Sequence, residues 1–267
     1  MNSFSQILPG LELSSLVSII GALGLASIRV GSFFLASPLF GYRIIPLQAR
    51  IVASFAISFL IFNQIEMPNI ELLAGPKLVL TILIELIIGL TAGIILTILF
   101  SAAELAGEKI ASSTGLGFAS IVDPNTGTQT PVLSQILSLF MIVTFLSLDG
   151  HLIALSIIIE SYKVLPIGIV NLDLNIIKLG IDAGGLMFKF GALIMLPVVV
   201  GITLLNVIIG IVTRSAPTLN LFSFGFPITM IFAFFLLYIC TITIGSNFSN
   251  VTNVGIDFIN RLVEGLM

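Results

Sequence analysis

Charged side chains are scarce in this chain. Lys, Arg, Asp and Glu together make up 9% of its 267 residues, whereas hydrophobic residues make up 57%. A soluble domain needs roughly a quarter of its residues charged to cover its surface. The scarcity of charge therefore excludes a protein whose main solvent is water, and it predicts an integral membrane protein.

The side chains that most catalytic and metal sites use are also scarce. Cys240 is the one cysteine, which excludes an intrachain disulfide and a cysteine-based zinc site. His151 is the one histidine, and it follows Asp149 and Gly150, which predict a loop-like break in the fourth hydrophobic region. It has no neighbouring metal ligands in the sequence, so we interpret it as a structural hydrogen-bonding group. We find no nucleophile placed beside a base. We therefore expect a protein that is not an enzyme and that holds no cofactor and no metal.

Basic residues form no stripe along the chain, and the formal net charge is −3. Because nothing would neutralise phosphates, we expect no nucleic-acid partner. The basic residues do not indicate which side of the membrane each loop faces. If the six segments alternate, one side carries four Lys or Arg residues and the other carries five. Either the charge bias is weak, or the helices do not keep a simple serpentine topology in the assembled state.

Hydrophobic segments long enough to cross a bilayer dominate the chain. A spanning helix needs about 20 mostly apolar residues, because the bilayer core is about 30 Å thick and a helix rises about 1.5 Å per residue. Lipid offers the backbone no hydrogen bonds, and the segments do not alternate like barrel strands, so we predict an all-α fold. An amphipathic helix is predicted over 250–266, after the last spanning segment. Six regions are long enough to span: 13–37, 44–65, 78–100, 131–160, 188–213 and 227–247.

Two charges interrupt these apolar segments. Arg29 and Glu85 would each cost at least about 2.5 kcal/mol in lipid, so we expect them to face protein or water. Two interpretations stay open: a structural pairing, with each other among the options, or a direct role in lining a conduit. Gly89 and Gly93 form a GxxxG pattern, which is typical of a helix-packing face in membranes.

Small residues are concentrated between the third and fourth hydrophobic regions. Residues 101–120 contain thirteen Gly, Ala, Ser or Thr residues, and their glycines reduce helix propensity, so we predict a loop or a broken helix. Glu104 and Glu108 would share one face, which we expect to be wet. The turn composition at Asp123 and Pro124 then ends the segment.

Three longer segments are more specific than composition. The first runs from Ser37 to Arg50, and the second runs from Gly115 to Pro124, with continuations at 131–135 and 149–151. The third, from Asn206 to Pro227, contains the pattern RxAPxLNxFxxGFP. In order and spacing these segments resemble the FliR family of flagellar export-gate proteins, whose relatives in virulence secretion systems are the SctT proteins.

The resemblance implies one membrane export-gate domain over 1–267. Residues 1–187 would form a FliP-like helical part with a plug loop near 108–122, and 188–267 a helical hairpin resembling FliQ. The implied location is the bacterial inner membrane at the flagellar basal body, where the subunit helps form and plug the pore for unfolded flagellar proteins. The implied partners are FliP-like and FliQ-like subunits, FlhB-like and FlhA-like export components, the unfolded exported proteins and membrane lipid.

The resemblance also implies roles for particular residues. The pore plug or gate would use Glu108, Gly115, Gly117, Phe118, Asp123 and Pro124. Structural or assembly roles would fall to Arg29, Pro38, Gly41, Pro46, Arg50, Glu85, Arg214, Pro217, Asn220, Gly225 and Pro227.

Two other functions remain open on the sequence. One is the equivalent subunit of a virulence type III secretion system. The other is a small-solute transporter, in which Arg29, Glu85 and a broken helix near 107–117 would build a site at the middle of the membrane.

Overall fold

Helices account for all the regular structure in the described part of the chain. The computed structural model describes residues 13–41, 45–62, 75–115, 131–168, 175–216 and 224–265. The predicted all-α fold is confirmed. In chain order the helices within those ranges are α1 (Leu13–Ala36), α2 (Leu47–Ile61), α3 (Pro76–Ser113), α4 (Val132–Ser147), α5 (Gly150–Val164), α6 (Asn175–Ser215) and α7 (Phe226–Glu264).

Four of these helices are long and apolar enough to cross a membrane: α1, α3, α6 and α7. Helices α4 and α5 add a fifth span if the interrupted pair counts as one. The described ranges therefore contain four or five candidate spans, whereas six were predicted. The main reason is α2, which begins after Pro46 and has only 15 residues, or about 23 Å of helix.

Helix α3 does not break where the small residues begin. It continues to Ser113, so the predicted loop or broken helix over the first part of 101–120 is wrong. Ala102, Ala106 and Ala111 are completely buried. Small side chains let backbones approach closely, and alanine has the highest helix propensity, so this composition produces a packed helix.

Helices α6 and α7 are also longer than predicted. Helix α6 begins at Asn175 rather than at 188, because Lys178 and Asp182 lie on an exposed face while Ala183 is buried. Helix α7 runs without interruption to Glu264 and unites the two helices predicted over 227–247 and 250–266. In the added part of α7 a buried apolar face formed by Val251, Phe258 and Leu262 continues beneath exposed polar residues.

The predicted break in the fourth hydrophobic region is present. Helix α4 ends at Ser147 and α5 begins at Gly150, with Leu148 and Asp149 forming a turn between them. Asp149 adopts a φ of 54°, a left-handed conformation that Asp tolerates better than most residues.

Two compact units divide the chain, and each is built from distant segments. The first unit comprises Met1–Thr97, His151–Gly180 and Ile256–Met267. In it Gly89 and Gly93 of α3 lie against α1: a Cβ at Gly93 would come within 2.7 Å of the Ala36 Cβ. The predicted GxxxG packing face is therefore confirmed.

The second unit comprises Ile98–Gly150 and Ile181–Gly255. The rings of Phe100 in α3 and Phe145 in α4 meet edge to face, with centroids 5.1 Å apart. A Cβ at Gly107 would overlap the backbone of Ser134, so the glycine allows α4 to approach α3 closely. The Ser134 hydroxyl also donates to the Glu104 carbonyl at 3.1 Å.

The apolar helices differ in how much of their surface is covered. Half of the apolar window of α1 and of α3 is buried, against 17% for α6 and for α7. On α7 the exposed side chains include Ile231, Tyr238 and Ile242, which is 86% exposed. Most of the apolar surface of α6 and α7 is therefore available to lipid or to another protein.

Candidate functional site

The C-terminal end of α3 stops at a glycine in the left-handed conformation. Gly115 has a φ of +82°, and its N–H donates to the Ser112 carbonyl at 3.3 Å. The Thr114 N–H still donates to the carbonyl of Ile110, four residues back in the helix, at 3.1 Å. A left-handed residue directly after the last helical turn is a common helix stop, and glycine adopts it without a steric penalty.

An aromatic ring from α7 occupies the space beside Gly115. A Cβ at this position would lie 2.6 Å from Cε1 of Phe226. Both the backbone conformation and the ring therefore require glycine here.

Two side chains from α6 and α7 bind the last carbonyl groups of α3. The Asn206 amide donates from Nδ2 to the Ser113 carbonyl at 3.2 Å. The Thr229 hydroxyl lies 3.2 Å from the Thr114 carbonyl and 2.9 Å from the Phe226 carbonyl. We call these residues the α3-end cluster: Ser113, Thr114, Gly115, Asn206, Phe226 and Thr229.

A small cavity lies within the α3-end cluster. Its volume is about 220 Å³, and Ser112, Ile209 and Gly225 complete its wall. The lining consists largely of small side chains, hydroxyl groups and one amide, so the cavity suits water or a short polar group better than a charged ligand.

Glu104 and Glu108 lie on the exposed face of α3, as predicted. Glu108 belongs to the helix, so the predicted plug loop cannot begin at this residue. The transporter interpretation required a broken helix near 107–117, and α3 is unbroken through Ser113, so the first part of that expectation is wrong.

Arg29 and Glu85 form a buried pair in the first unit. The guanidinium of Arg29 donates from Nε to Oε2 of Glu85 at 2.7 Å and from Nη2 to Oε1 at 2.9 Å. The two side chains are 0% and 2% exposed. Bidentate geometry strengthens the contact and fixes the orientation of both side chains.

The last turn of α5 completes this network. Arg29 donates from Nη1 to the Ser161 hydroxyl at 2.9 Å and from Nη2 to the Leu165 carbonyl at 3.0 Å. The guanidinium carbon also lies 4.1 Å from the ring centre of Tyr162, whose hydroxyl donates to the Ala26 carbonyl of α1. The network therefore binds α1, α3 and α5 to one another, which matches the structural interpretation of the two charges.

Pro38, Gly41, Pro46 and Arg50 lie at the end of α1 and the start of α2. The Gly41 N–H donates to the Ser37 carbonyl at 2.7 Å in the turn that follows α1. Pro46 directly precedes α2, and Arg50 donates from Nη2 to the Ile45 carbonyl at 2.9 Å. These contacts are local.

The third motif is only partly described. Arg214 lies in the last turn of α6, Gly225 is buried directly before α7, and Pro227 is the second residue of α7. Proline fits a first helical turn, where its missing N–H would have no partner. Six predicted site residues lie outside the described residues: Gly117, Phe118, Asp123, Pro124, Pro217 and Asn220.

Sequence reasoning assigned no role to Asn206, Thr229, Ser161 or Tyr162. An amide inside an apolar helix is a signal, because it needs a partner in lipid, and Asn206 carries that signal. Tyr162 gives a similar signal through its hydroxyl. Thr229 gives none, since a threonine hydroxyl in a helix can bond to its own preceding turn.

The structure tests the interpretation of His151 as a hydrogen-bonding group for one of its two ring nitrogens. Its Nδ1 is buried and has no hydrogen-bond partner within the described residues. Across those same ranges, no three His, Cys, Asp or Glu side chains lie together as metal ligands would.

The long apolar helices, joined inside by polar contacts, define a multi-pass helical membrane protein. Residues 20–254 match the family described as bacterial export proteins, family 1, and the chain belongs to this family. The resemblance derived from the three motifs is thereby confirmed.

Several relatives carry the name flagellar biosynthetic protein FliR. The chain is 31% identical over 230 residues to that of Aquifex aeolicus, covering 85% of this chain and 89% of the relative. It is 30% identical over 203 residues to that of Escherichia coli, covering 76% and 77%. It is 28% identical over 254 residues to that of Bacillus subtilis, covering 94% and 98%.

Proposed function

We propose that this chain is a subunit of the flagellar type III export gate, embedded in the bacterial inner membrane at the basal body. The match of residues 20–254 to an export-protein family carries the proposal. The names of the relatives favour a flagellar system over a virulence system. In this function the chain catalyses no reaction, and it forms part of a path for unfolded flagellar proteins.

The uncovered helices support assembly with other membrane subunits. Helices α6 and α7 bury only 17% of their apolar windows within this chain. Helix α7 has 39 residues and is about 58 Å long, which is nearly twice the thickness of a bilayer core. Lipid alone cannot cover such a helix, so we propose FliP-like and FliQ-like subunits as its neighbours and FlhB-like and FlhA-like components in the same apparatus.

The plug of the gate is proposed for the segment that leaves the α3-end cluster. The family resemblance places the plug after the third hydrophobic helix, and α3 ends at Ser113. The proposed plug residues are therefore Gly115, Gly117, Phe118, Asp123 and Pro124, while Glu108 contributes from the helix that supports them.

Deletion of the gene tests the function directly. Cells without this chain should stop secreting filament proteins and stop swimming, and the wild-type gene on a plasmid should restore both. A tagged chain extracted in mild detergent should bring several small membrane subunits with it. Normal filament secretion by the deletion strain, or recovery of the chain as a solitary solute carrier, would refute the proposal.

A further inference from the structure

The hydrogen bonds described for the Arg29 side chain all lead to later parts of the chain. An arginine side chain carries five N–H donors and keeps its positive charge at any physiological pH. In Arg29 these donors bind the Glu85 carboxylate, the Ser161 hydroxyl and the Leu165 carbonyl. The three partners lie 56, 132 and 136 positions later in the sequence. They are therefore synthesised only after α1 is complete.

By itself, α1 is poorly suited to hold this charge in lipid. Arg29 lies inside the helix, about 10 Å along the axis before its last residue, Ala36. On insertion scales an arginine at a helix centre cancels the contribution of about five leucine or isoleucine residues. Among the four candidate spans in the described ranges, α1 is the least apolar. A lone α1 therefore gains little by leaving the membrane surface.

Helix α3 differs from α1, because it can bring its own charged residue into the membrane. It has 38 residues, and its apolar window is more hydrophobic than that of α1. A carboxyl group can also enter lipid as the neutral acid, an option that a guanidinium lacks. Glu85 therefore does not require Arg29 for insertion, whereas Arg29 requires Glu85.

We propose that α1 inserts stably only after α3 and α5 have supplied the partners of Arg29. The arginine thereby delays closure of the first unit until residue 165 has been made, and a chain that ends earlier leaves α1 at the membrane surface. Arg29 and Glu85 act here as positioning residues. The proposal concerns the first unit alone and does not depend on the proposed function.

The contacts around Arg29 explain why α1 stays in place once its partners are present. The arginine side chain is 0% exposed, and its guanidinium carbon lies 4.1 Å from the ring centre of Tyr162. The Tyr162 hydroxyl donates to the Ala26 carbonyl, and Gly89 lets the backbone of α3 approach the Arg29 carbonyl. The part of α1 that is unfavourable in lipid is therefore enclosed by α3 and α5.

A single cysteine in α1 reports its location, because a membrane-impermeant maleimide modifies thiols in water and not in lipid. Cys240 is first replaced by serine, and the reporter is Gly24→Cys, where an added Cβ meets no atom within 4 Å. Gly210→Cys in α6 has the same open space and is the matched control. The full chain is synthesised with inverted bacterial membrane vesicles in a translation system without proteases, so that wrongly inserted chains survive.

Three variants are compared with the wild type: Glu85→Gln, Arg29→Leu and their combination. Glu85→Gln should raise the labelled fraction of the α1 reporter about tenfold, because an uncompensated arginine is expelled from lipid. The combined variant should return to the wild-type value, since α1 then carries no charge, although the hydrogen-bond network is absent. The α6 reporter should not change in any variant.

The order of insertion is tested by the time course of a synchronised synthesis. In the wild type the α1 reporter should become protected only after the ribosome has passed residue 165. In Arg29→Leu it should become protected as soon as α1 leaves the ribosome.

Three results would overturn the proposal. Equal labelling of the α1 reporter in Glu85→Gln and the wild type would show that α1 inserts without its partner. Labelling of the combined variant as strong as that of Glu85→Gln would show that packing, rather than the Arg29 charge, holds α1 in place. Equal protection times for the wild type and Arg29→Leu would show that the arginine causes no delay.

Discussion

The first and second units hold their helices together by different chemistry. In the first unit, Arg29 and Glu85 form a bidentate pair with contacts of 2.7 and 2.9 Å, and both side chains are buried. In the second unit, Asn206 and Thr229 are neutral donors at 3.2 Å beside a cavity. Charge-assisted hydrogen bonds are shorter and about twice as strong as neutral ones, so the polar contacts of the first unit hold their helices more firmly than those of the second.

The largest expected effect comes from breaking the buried pair. Glu85→Gln keeps the side-chain volume but leaves the Arg29 charge without a counter-charge. We expect a loss of about 3–5 kcal/mol in stability, because an uncompensated buried charge is strongly destabilising. The amount of chain in the membrane and the thermal unfolding midpoint of the complex measure this loss.

A double variant sharpens that test. Arg29→Met combined with Glu85→Leu removes both charges and should recover much of the lost stability, since apolar replacement of a buried pair is often neutral. Single variants as stable as the wild type would contradict the assignment of the pair as the centre of the first unit.

A smaller effect is expected from Gly89→Ala at the contact of α3 with α1. The added Cβ would overlap the Ser32 hydroxyl and the Arg29 carbonyl, and overpacking of this kind costs about 1–3 kcal/mol. Gly24→Ala in α1 is the control, because its Cβ would meet no atom within 4 Å. Equal unfolding midpoints for the two variants would argue against close packing at Gly89.

In the second unit, Gly115→Ala should destabilise the end of α3 by about 1–2 kcal/mol, the cost of a left-handed conformation for a residue with a Cβ. Contact with the Phe226 ring adds to this cost. Faster amide exchange at Thr114 and a raised ion leak would report it. Gly245→Ala in α7 has open space around the new Cβ and should leave both quantities unchanged.

The smallest effect is expected from the exposed ion pair of the first unit. Arg261 and Asp257 in α7 lie 2.7 Å apart, as close as the buried pair, but their side chains are 59% and 52% exposed. Asp257→Asn should lower stability by at most about 0.5 kcal/mol, because water and salt screen the charges. A loss of stability as large as that caused by Glu85→Gln would mean that burial does not explain why the two ion pairs differ in their contribution to stability.

The sequence predicted those features of the fold that depend on local chemistry. The GxxxG pattern indicated the packing of Gly89 and Gly93, and Asp149 with Gly150 indicated the break between α4 and α5. The isolated charges at 29 and 85 indicated that each needed a protein or water partner. Each prediction followed from a cost that a residue carries wherever it lies, such as an unpaired charge in lipid.

The composition of residues 101–113 was ambiguous for a physical reason. Glycine weakens a helix that stands alone, yet small side chains allow a packed helix to approach its neighbour closely. Gly107 shows the second case, since the Ser134 backbone occupies the space that a side chain would fill. Which case applied depended on a neighbour 27 positions away, which no local pattern contains.

By itself, the sequence determined that this protein is helical and resides in a membrane, because the cost of exposing apolar residues to water and unpaired backbone groups to lipid does not depend on the fold. It also determined the family through three motifs. Only the tertiary structure decided that Arg29 binds Glu85 and that Asn206 and Thr229 bind the end of α3. Those choices depend on which distant side chains are brought within about 3 Å of one another, the range over which a hydrogen bond forms.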